Sequence, residues 1–204
     1  MLVAWTRHAE SPHNIKKIYS SSPLPMEAAL TPRGLMQAEI AGKEFQKLRE
    51  LMGIRGEHLH VHSSPLLRAH RTAETVARWM GLTDVHVTVA LRERSYGDLE
   101  GKEEPSRSWK LEAERYNAET FDQLKSRVHD FLRVAGDGFH VAVTHKDMLI
   151  AAVGDITKKP ESELLDNPSP NAGITLIDYD AGKVLFEGER HIPATFAPRA
   201  VAPV

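Results

Sequence analysis

The chain contains no cysteine. That single absence removes disulfide staples, thiolate nucleophiles and cysteine-based metal sites, and it fits a reducing compartment. A surplus of charge is also missing: 26 basic residues face 28 acidic ones, a formal net charge of -2. Nothing in that balance recommends a general nucleic-acid binder, whose affinity rests on neutralising phosphates with excess cations. Long apolar runs are missing too. The opening stretch from Met1 to Trp5 stops at Arg7, too short for a secretory core and far too short for a bilayer. The expectation is a cytoplasmic protein with no membrane and no nucleic-acid partner. There is no internal repeat. At 204 residues the chain is long enough to bury roughly 70% of its unfolded surface in one α/β domain. Self-association is compatible with all of this.

Two features are abundant instead. There are 11 histidines, many for this length. The end, residues 192–204, carries Pro193, Pro198 and Pro203 among small residues and reads as a Pro/Ala-rich, partly ordered tail behind a catalytic domain over residues 1–191.

Between those ends, strand and helix patterns alternate. Leu2 to Thr6 is a short apolar run that reads as a buried strand. Residues 15–30, with Ser20, Ser21, Ser22, Pro23 and Pro25, read as a loop. Thr31-Pro32 signals a helix start, followed by the stripe Leu35, Ala38, Ala41, Phe45, Leu48 and Met52. His58 to Ser63 alternates as a strand does. Ser64-Pro65 opens a helix that ends at Gly81. Val85 to Leu91 reads as a third strand, Phe121 to Val134 as a helix, Phe139 to Thr144 as a fourth strand, and Asp147 to Ile156 as a helix. A hairpin around Asp180-Ala181-Gly182 closes the pattern. The sum is a three-layer α/β/α sandwich with a mostly parallel central sheet of about six strands.

In open sheets of this kind, ligands bind beyond the carboxyl ends of the strands. Arg7 and His8 follow the first strand. Ser63, Ser64 and, a turn later, Arg68 follow the second. Glu93 follows the third, and His145 the fourth. Two guanidiniums offer planar forks that suit phosphoryl oxygens. A neutral imidazole is a competent nucleophile near neutral pH. A second imidazole can balance charge on a transferring group, and a protonated carboxyl can supply a leaving alcohol's proton.

These residues also carry a family resemblance. Arg7-His8-Ala9-Glu10-Ser11-Pro12-His13-Asn14 resembles the opening motif of the histidine phosphatase (phosphoglycerate mutase-like) superfamily. Ser63 to Ala73, around Arg68, resembles its second motif. Leu91 to Gly101 resembles the segment with the acid, Val143-Thr144-His145 the segment with the second histidine, and Asn171 to Thr175 the loop and strand that close the pocket. The resemblance implies His8 as the nucleophile that becomes phosphohistidine. It implies Arg7, Arg68 and His145 as the phosphate clamp aided by Asn14, Glu93 as proton donor, and Ser20 in a loop that touches substrate. It implies a small phosphorylated substrate, a metal-independent phosphatase and no cofactor, with phosphoglycerate mutase chemistry or mere phospho-ligand binding as alternatives. The shortness of the chain favours hydrolysis over the mutase reaction.

The sequence departs from the family pattern at Ala9, where glycine is commonest, at Arg71, and at Lys146 beside His145, which is expected to face solvent. Asp98 and Glu100 compete with Glu93 for the role of acid. His58, His60 and His62 share one strand face and raise the question of zinc. Their steps of roughly 7 Å along the strand argue against a common point, and no metal is expected. The insert over residues 102–118, with Trp109, Lys110, Arg115 and Tyr116, reads either as a lid that selects substrate or as an amphipathic helix on the sheet.

Overall fold

The computed structural model describes residues 1–22, 30–103 and 107–197. Six strands form one sheet in the order β3-β2-β4-β1-β5-β6: β1 (Leu2–Arg7), β2 (Leu59–Ser63), β3 (His86–Val87), β4 (Phe139–Thr144), β5 (Ile174–Asp178) and β6 (Lys183–Glu189). β1, β2, β3 and β4 run parallel, and β5 lies antiparallel to both β1 and β6. The central strands are continuous apolar runs because both of their faces are covered. Odd and even positions go to different cores. Ala4, Val61, Val141 and Leu176 pack on one side with α2 (Pro32–Met52) and α3 (Leu67–Trp79). Val3, Trp5, Ala142 and Ile177 pack on the other with α4 (Phe121–Ala135) and α5 (Lys146–Thr157). The architecture is the expected three-layer sandwich.

Local chemistry sets the element ends. Thr31 accepts a hydrogen bond from the Gly34 amide at 2.9 Å and caps α2, with Pro32 at its first position. In the expected stripe on α2, Ala38, Ala41, Phe45, Leu48 and Met52 are buried, whereas Leu35 is exposed. Gly182, at φ 60°, turns β5 into β6 where the hairpin was expected. Among the described residues no helix is long and apolar enough to cross a membrane.

The structure corrects four readings. The expected third strand over 85–91 is only His86–Val87, followed by a 3₁₀ turn over Val89–Leu91. β3 lies at the sheet edge and pairs only with His62 and Ser63, and Thr88 caps the turn by accepting from the Ala90 amide, so the ladder ends early. Residues 15–30 are not all loop. Pro12–Lys16 form a short helix, α1, and Ile18 bridges to Glu103, while residues 23–29 fall outside the described ones. Ser64-Pro65 does not open α3, which begins at Leu67; the Ser64 hydroxyl accepts from the Leu66 amide at 3.2 Å and also meets His145 Nε2. Finally, the first residues of the tail belong to the body. Ile192 is buried, its amide donates to Glu44, and Phe196 packs edge-on to Phe186; residues 198–204 fall outside the described ones. A further short helix, α6 (Glu161–Leu164), had no clear signal in the sequence.

Candidate active site

Strand register brings the histidines together. Arg7 pairs with Thr144 across β1 and β4, so the next residues, His8 and His145, leave the sheet side by side. Their ring centroids lie 5.0 Å apart. The chain leaves β1 for the α2 face and leaves β4 for the α5 face, so the two strands form the point where connections diverge. That crevice is where open α/β sheets bind ligands. The His8 amide donates to the Thr144 carbonyl at 2.8 Å, which fixes the backbone on both sides.

The hydrogen bonds of His8 determine its tautomer. Its Nδ1 lies 2.8 Å from the Ala9 carbonyl oxygen, which can only accept, so Nδ1 carries the proton. Arg68 Nε donates to Nε2 at 3.3 Å, which leaves Nε2 as the unprotonated nitrogen. Burial, then the charges of Arg68 and Arg7, hold the His8 pKa well below the ordinary imidazole range. His145 is built in the opposite sense. Arg68 Nη2 lies 3.4 Å from Nδ1, and arginine only donates, so the Nε2 proton goes to Ser64 Oγ at 2.8 Å. Here too burial, followed by Arg68 and His8, lowers the pKa.

Arg68 reaches the site from the first turn of α3. Its Nη2 also donates to the Ser20 carbonyl at 2.6 Å. Thr72, one turn on, receives the Ala9 amide and donates to the Arg68 carbonyl, tying the segment after β1 to α3. Arg7 is anchored by the Ser169 carbonyl at 2.8 Å.

Glu93 is buried, and its Oε1 accepts from the Arg94 amide at 2.9 Å. Burial, then the nearby charge of Asp147, raise its pKa above the ordinary carboxylate value. The rival carboxylates are occupied. Glu100 accepts from the Ser21 amide and hydroxyl and from the Ser22 amide, and Asp98 accepts from Asn117. Three carboxylates that the sequence could not separate are separated by their partners.

Asn14 lies at the margin. Its Oδ1 accepts from the Ser11 amide and from Asn171 Nδ2, which also donates to the His8 carbonyl. Asn14 therefore caps the turn and reaches His8 only through Asn171. Ser20 meets Arg68 through its backbone, while its buried hydroxyl has no partner among the described residues. Lys146 begins α5 half-buried.

The insert is neither a regular helix nor a cover for the sheet. Residues Arg107–Tyr116 form 3₁₀ turns with a kink at Glu112. Trp109 packs against Tyr19 and Tyr96 and donates to the Tyr19 hydroxyl at 2.8 Å.

A family model, the histidine phosphatase superfamily (branch 1), matches residues 3–189. The chain belongs to the histidine phosphatase superfamily. It is 29% identical over 192 residues to a Hydrogenobacter thermophilus protein provisionally named phosphoserine phosphatase 2, covering 87% of this chain and 89% of that one. It is 30% identical over 190 residues to a Thermoplasma acidophilum 2,3-bisphosphoglycerate-dependent phosphoglycerate mutase, covering 89% of each. Among solved structures it resembles an H9A mutant phosphoserine phosphatase from Entamoeba histolytica in complex with phosphoserine, with a TM-score of 0.72, 17% identity and coverage of 93% and 97%. The last likeness speaks for the fold alone. Membership of this superfamily and the likeness to both phosphatases and mutases support phosphatase or mutase chemistry as the activity class.

Sequence reading did not single out several residues of the site. Asn171 stood inside a quoted motif without a role. Ser64 was read as a helix start, and Thr72 stood inside a quoted motif without a role. Arg94, Asp147 and Glu161, which pair with one another beside Glu93, carry no local signal.

The histidines His60 and His62 do not stand alone. His60 pairs in register with His140 and His62 with His86, so four imidazoles form a patch on the α4 side of β2, β3 and β4. Among the described residues no three His, Asp or Glu side chains converge as metal ligands do.

Proposed function

We propose that this histidine phosphatase hydrolyses a small phosphomonoester without a metal, through a phosphohistidine on His8. One observation carries the reading: His8 presents an unprotonated Nε2 to the guanidinium of Arg68, with its proton committed to the Ala9 carbonyl on the far side of the ring. An incoming phosphoryl group takes the place of that guanidinium contact. Nε2 attacks phosphorus as the ester P–O bond breaks, and Glu93 gives its proton to the leaving alkoxide. Arg7, Arg68 and His145 balance the charge spread over the equatorial oxygens, the part that metal ions play elsewhere. Glu93, now a carboxylate, accepts a proton from water. That water attacks phosphorus, the P–N bond breaks, and phosphate leaves with His8 restored.

Transfer back to a phosphoglycerate is the second reading, and the likeness to the Thermoplasma acidophilum mutase over 89% of both chains supports it. That coverage takes away chain length as an argument for hydrolysis. A different feature favours water. A phosphoglycerate brings a carboxylate that needs cations beyond the phosphate clamp. The buried cations next to Glu93 are already neutralised: Lys110 by Asp147 at 2.5 Å and Arg94 by Glu161 at 2.8 Å.

The test is turnover of a panel of phosphomonoesters in the presence of a chelator, with His8→Ala as control. Chelator-insensitive phosphate release and an acid-labile, base-stable phosphoprotein after rapid quench are expected. Turnover that His8→Ala retains would overturn the reading. On 3-phosphoglycerate, more isomer than free phosphate would give preference to the mutase reading.

A further inference from the structure

The segment that carries Glu93 is not held as a strand would be. The β3 ladder ends at Val87, and the backbone reaches Glu93 through the 3₁₀ turn over Val89–Leu91. Carbonyls outside a ladder still need donors where water is largely kept out. Side chains of two other elements provide them. Arg127 of α4 donates through Nη1 to the Ala90 and Arg92 carbonyls at 3.3 and 2.7 Å, and through Nη2 to the Glu93 carbonyl at 3.4 Å. Thr144 Oγ1 donates to the Leu91 carbonyl at 2.6 Å. The consecutive carbonyls from Ala90 to Glu93 are thus all taken by side chains. Arg127 is itself fixed by a fork: its Nε and Nη2 donate to the two carboxylate oxygens of Glu119 at 2.6 and 2.7 Å. Glu119 also grips the segment just past Glu93. Its Oε2 accepts from the Ser95 amide at 3.1 Å, and its own amide donates to the Ser95 carbonyl at 2.9 Å. The side chains of the pair are 17% and 13% exposed. A solvent-exposed pair would hold little in place, whereas a sheltered bidentate one fixes direction as well as distance.

We propose that Arg127 is a positioning residue for the proton donor: with Glu119 behind it, it fixes the backbone of residues 90–93 so that the Glu93 carboxyl stands at the leaving oxygen. The proposal rests on the phosphohydrolase reading given above. Thr144 refers that placement to the nucleophile. Its hydroxyl holds Leu91, its carbonyl accepts from the His8 amide at 2.8 Å, and His145 follows it in the chain. The acid and the attacking imidazole are therefore both set against one residue at the end of β4. Proton transfer to a leaving group depends on hydrogen-bond reach, and small misplacements are costly. A role through charge alone would have the opposite sign. Removing a cation near a carboxyl favours its neutral form, so charge alone would help Glu93 keep its proton when Arg127 is lost. Loss of position instead weakens turnover of those substrates that need the proton.

The experiment compares wild type, Arg127→Met and Glu119→Gln in a chelator-containing buffer, at one pH on the plateau of the wild-type rate. The substrates are glycerol 2-phosphate, whose leaving alkoxide needs a proton, and p-nitrophenyl phosphate, whose leaving phenolate does not. The readout is the ratio of kcat/KM on the alkyl ester to kcat/KM on the aryl ester. In Arg127→Met that ratio falls about tenfold, while inhibition by inorganic phosphate, which reports the clamp of Arg7, Arg68 and His145, changes little. Glu119→Gln keeps an acceptor for the Ser95 amide but turns a donor toward Arg127, so the ratio falls in the same direction, by about threefold. Equal losses on both esters, as support of the fold alone would give, overturn the proposal. So does a rise in the ratio, which charge alone would give. A weakening of phosphate inhibition as large as the loss of turnover also overturns it, because the damage then lies in the clamp. If Arg127→Met does not fold by circular dichroism, an unmoved ratio in Glu119→Gln overturns the proposal. Failure of the parent reading is a separate result: wild type releases no phosphate from either ester, or His8→Ala keeps full turnover.

Discussion

In the proposed mechanism, protonation at two residues sets the pH window. His8 must be neutral at Nε2, and its pKa lies well below 6.5 through burial and then Arg68 and Arg7. Glu93 must be protonated, and its pKa lies above 4.5 through burial and then Asp147. Lowering the base and raising the acid widens, from both sides, the range in which both groups are in the working form. The bell of kcat/KM against pH on an alkyl phosphate therefore keeps its acid limb below pH 6.5 and its alkaline limb above pH 4.5. Steady-state rates across that range check it; an acid limb above 6.5 would contradict the His8 assignment. Arg68 is the second residue with a sharp expectation. Its Nε meets His8, and its Nη2 meets both His145 and the Ser20 carbonyl. Lysine keeps the charge but offers no planar fork. Arg68→Lys should cost about 100-fold in kcat/KM, with thermal stability measured alongside to show that the fold survives.

At the level of elements, β2, β3 and β4 carry the patch of imidazoles, and its cost is legible in pH dependence. His62 Nε2 lies 3.1 Å from His140 Nδ1, whose ring is held from its other side by the Gly136 carbonyl. His62 also meets Phe131 of α4 edge-on. Burial, then His140, His86 and His60, push the His62 pKa down to about 3. In the unfolded chain the same imidazole takes its proton near pH 6.5. Between those values the unfolded state binds more protons, so this histidine's contribution to stability is present above pH 6.5 and is lost as pH falls toward 3. His62→Gln removes that loss. Melting curves should show a decline over pH 6.5 to 3 that is shallower by several degrees than in wild type.

The same elements show where sequence is informative. Strands β1 and β4 were legible because buried parallel strands are unbroken apolar runs, and α2 because Thr31-Pro32 is a local cap. β3 was not, because its length depends on pairing with Ser63 at the sheet edge and on the Thr88 turn. His8, Arg68 and His145 were legible as residues that follow strands. Glu93 was reached by a partly wrong route, since a 3₁₀ turn and not a strand precedes it. Asp147 and Lys110, 37 residues apart, meet only through tertiary packing, and no local pattern announces such a pair.

For the whole molecule, the site is a joint between layers. His8 and His145 leave the central sheet, Arg68 comes from the α2/α3 layer, and Arg7 is anchored by the segment before β5. Two arginines and two neutral histidines meet there, and Arg68 is buried. An oxyanion that sits between Arg7, Arg68, His8 and His145 adds charge-assisted hydrogen bonds to groups drawn from different elements. Binding to the folded chain alone stabilises by about 2.7 kcal/mol at a ligand concentration of 100 times Kd. For a domain of this size each kcal/mol moves Tm by roughly 2–4 °C. Orthovanadate, a mimic of the transferring phosphoryl group, should therefore raise Tm by roughly 5–10 °C at saturation. Arg68→Ala should abolish the rise. His62→Gln, which lies in the imidazole patch away from the joint, should preserve it in full. Differential scanning fluorimetry at fixed pH checks all three. An equal rise in Arg68→Ala would mean that the anion binds elsewhere, and the joint would lose its claim to be the phosphate site.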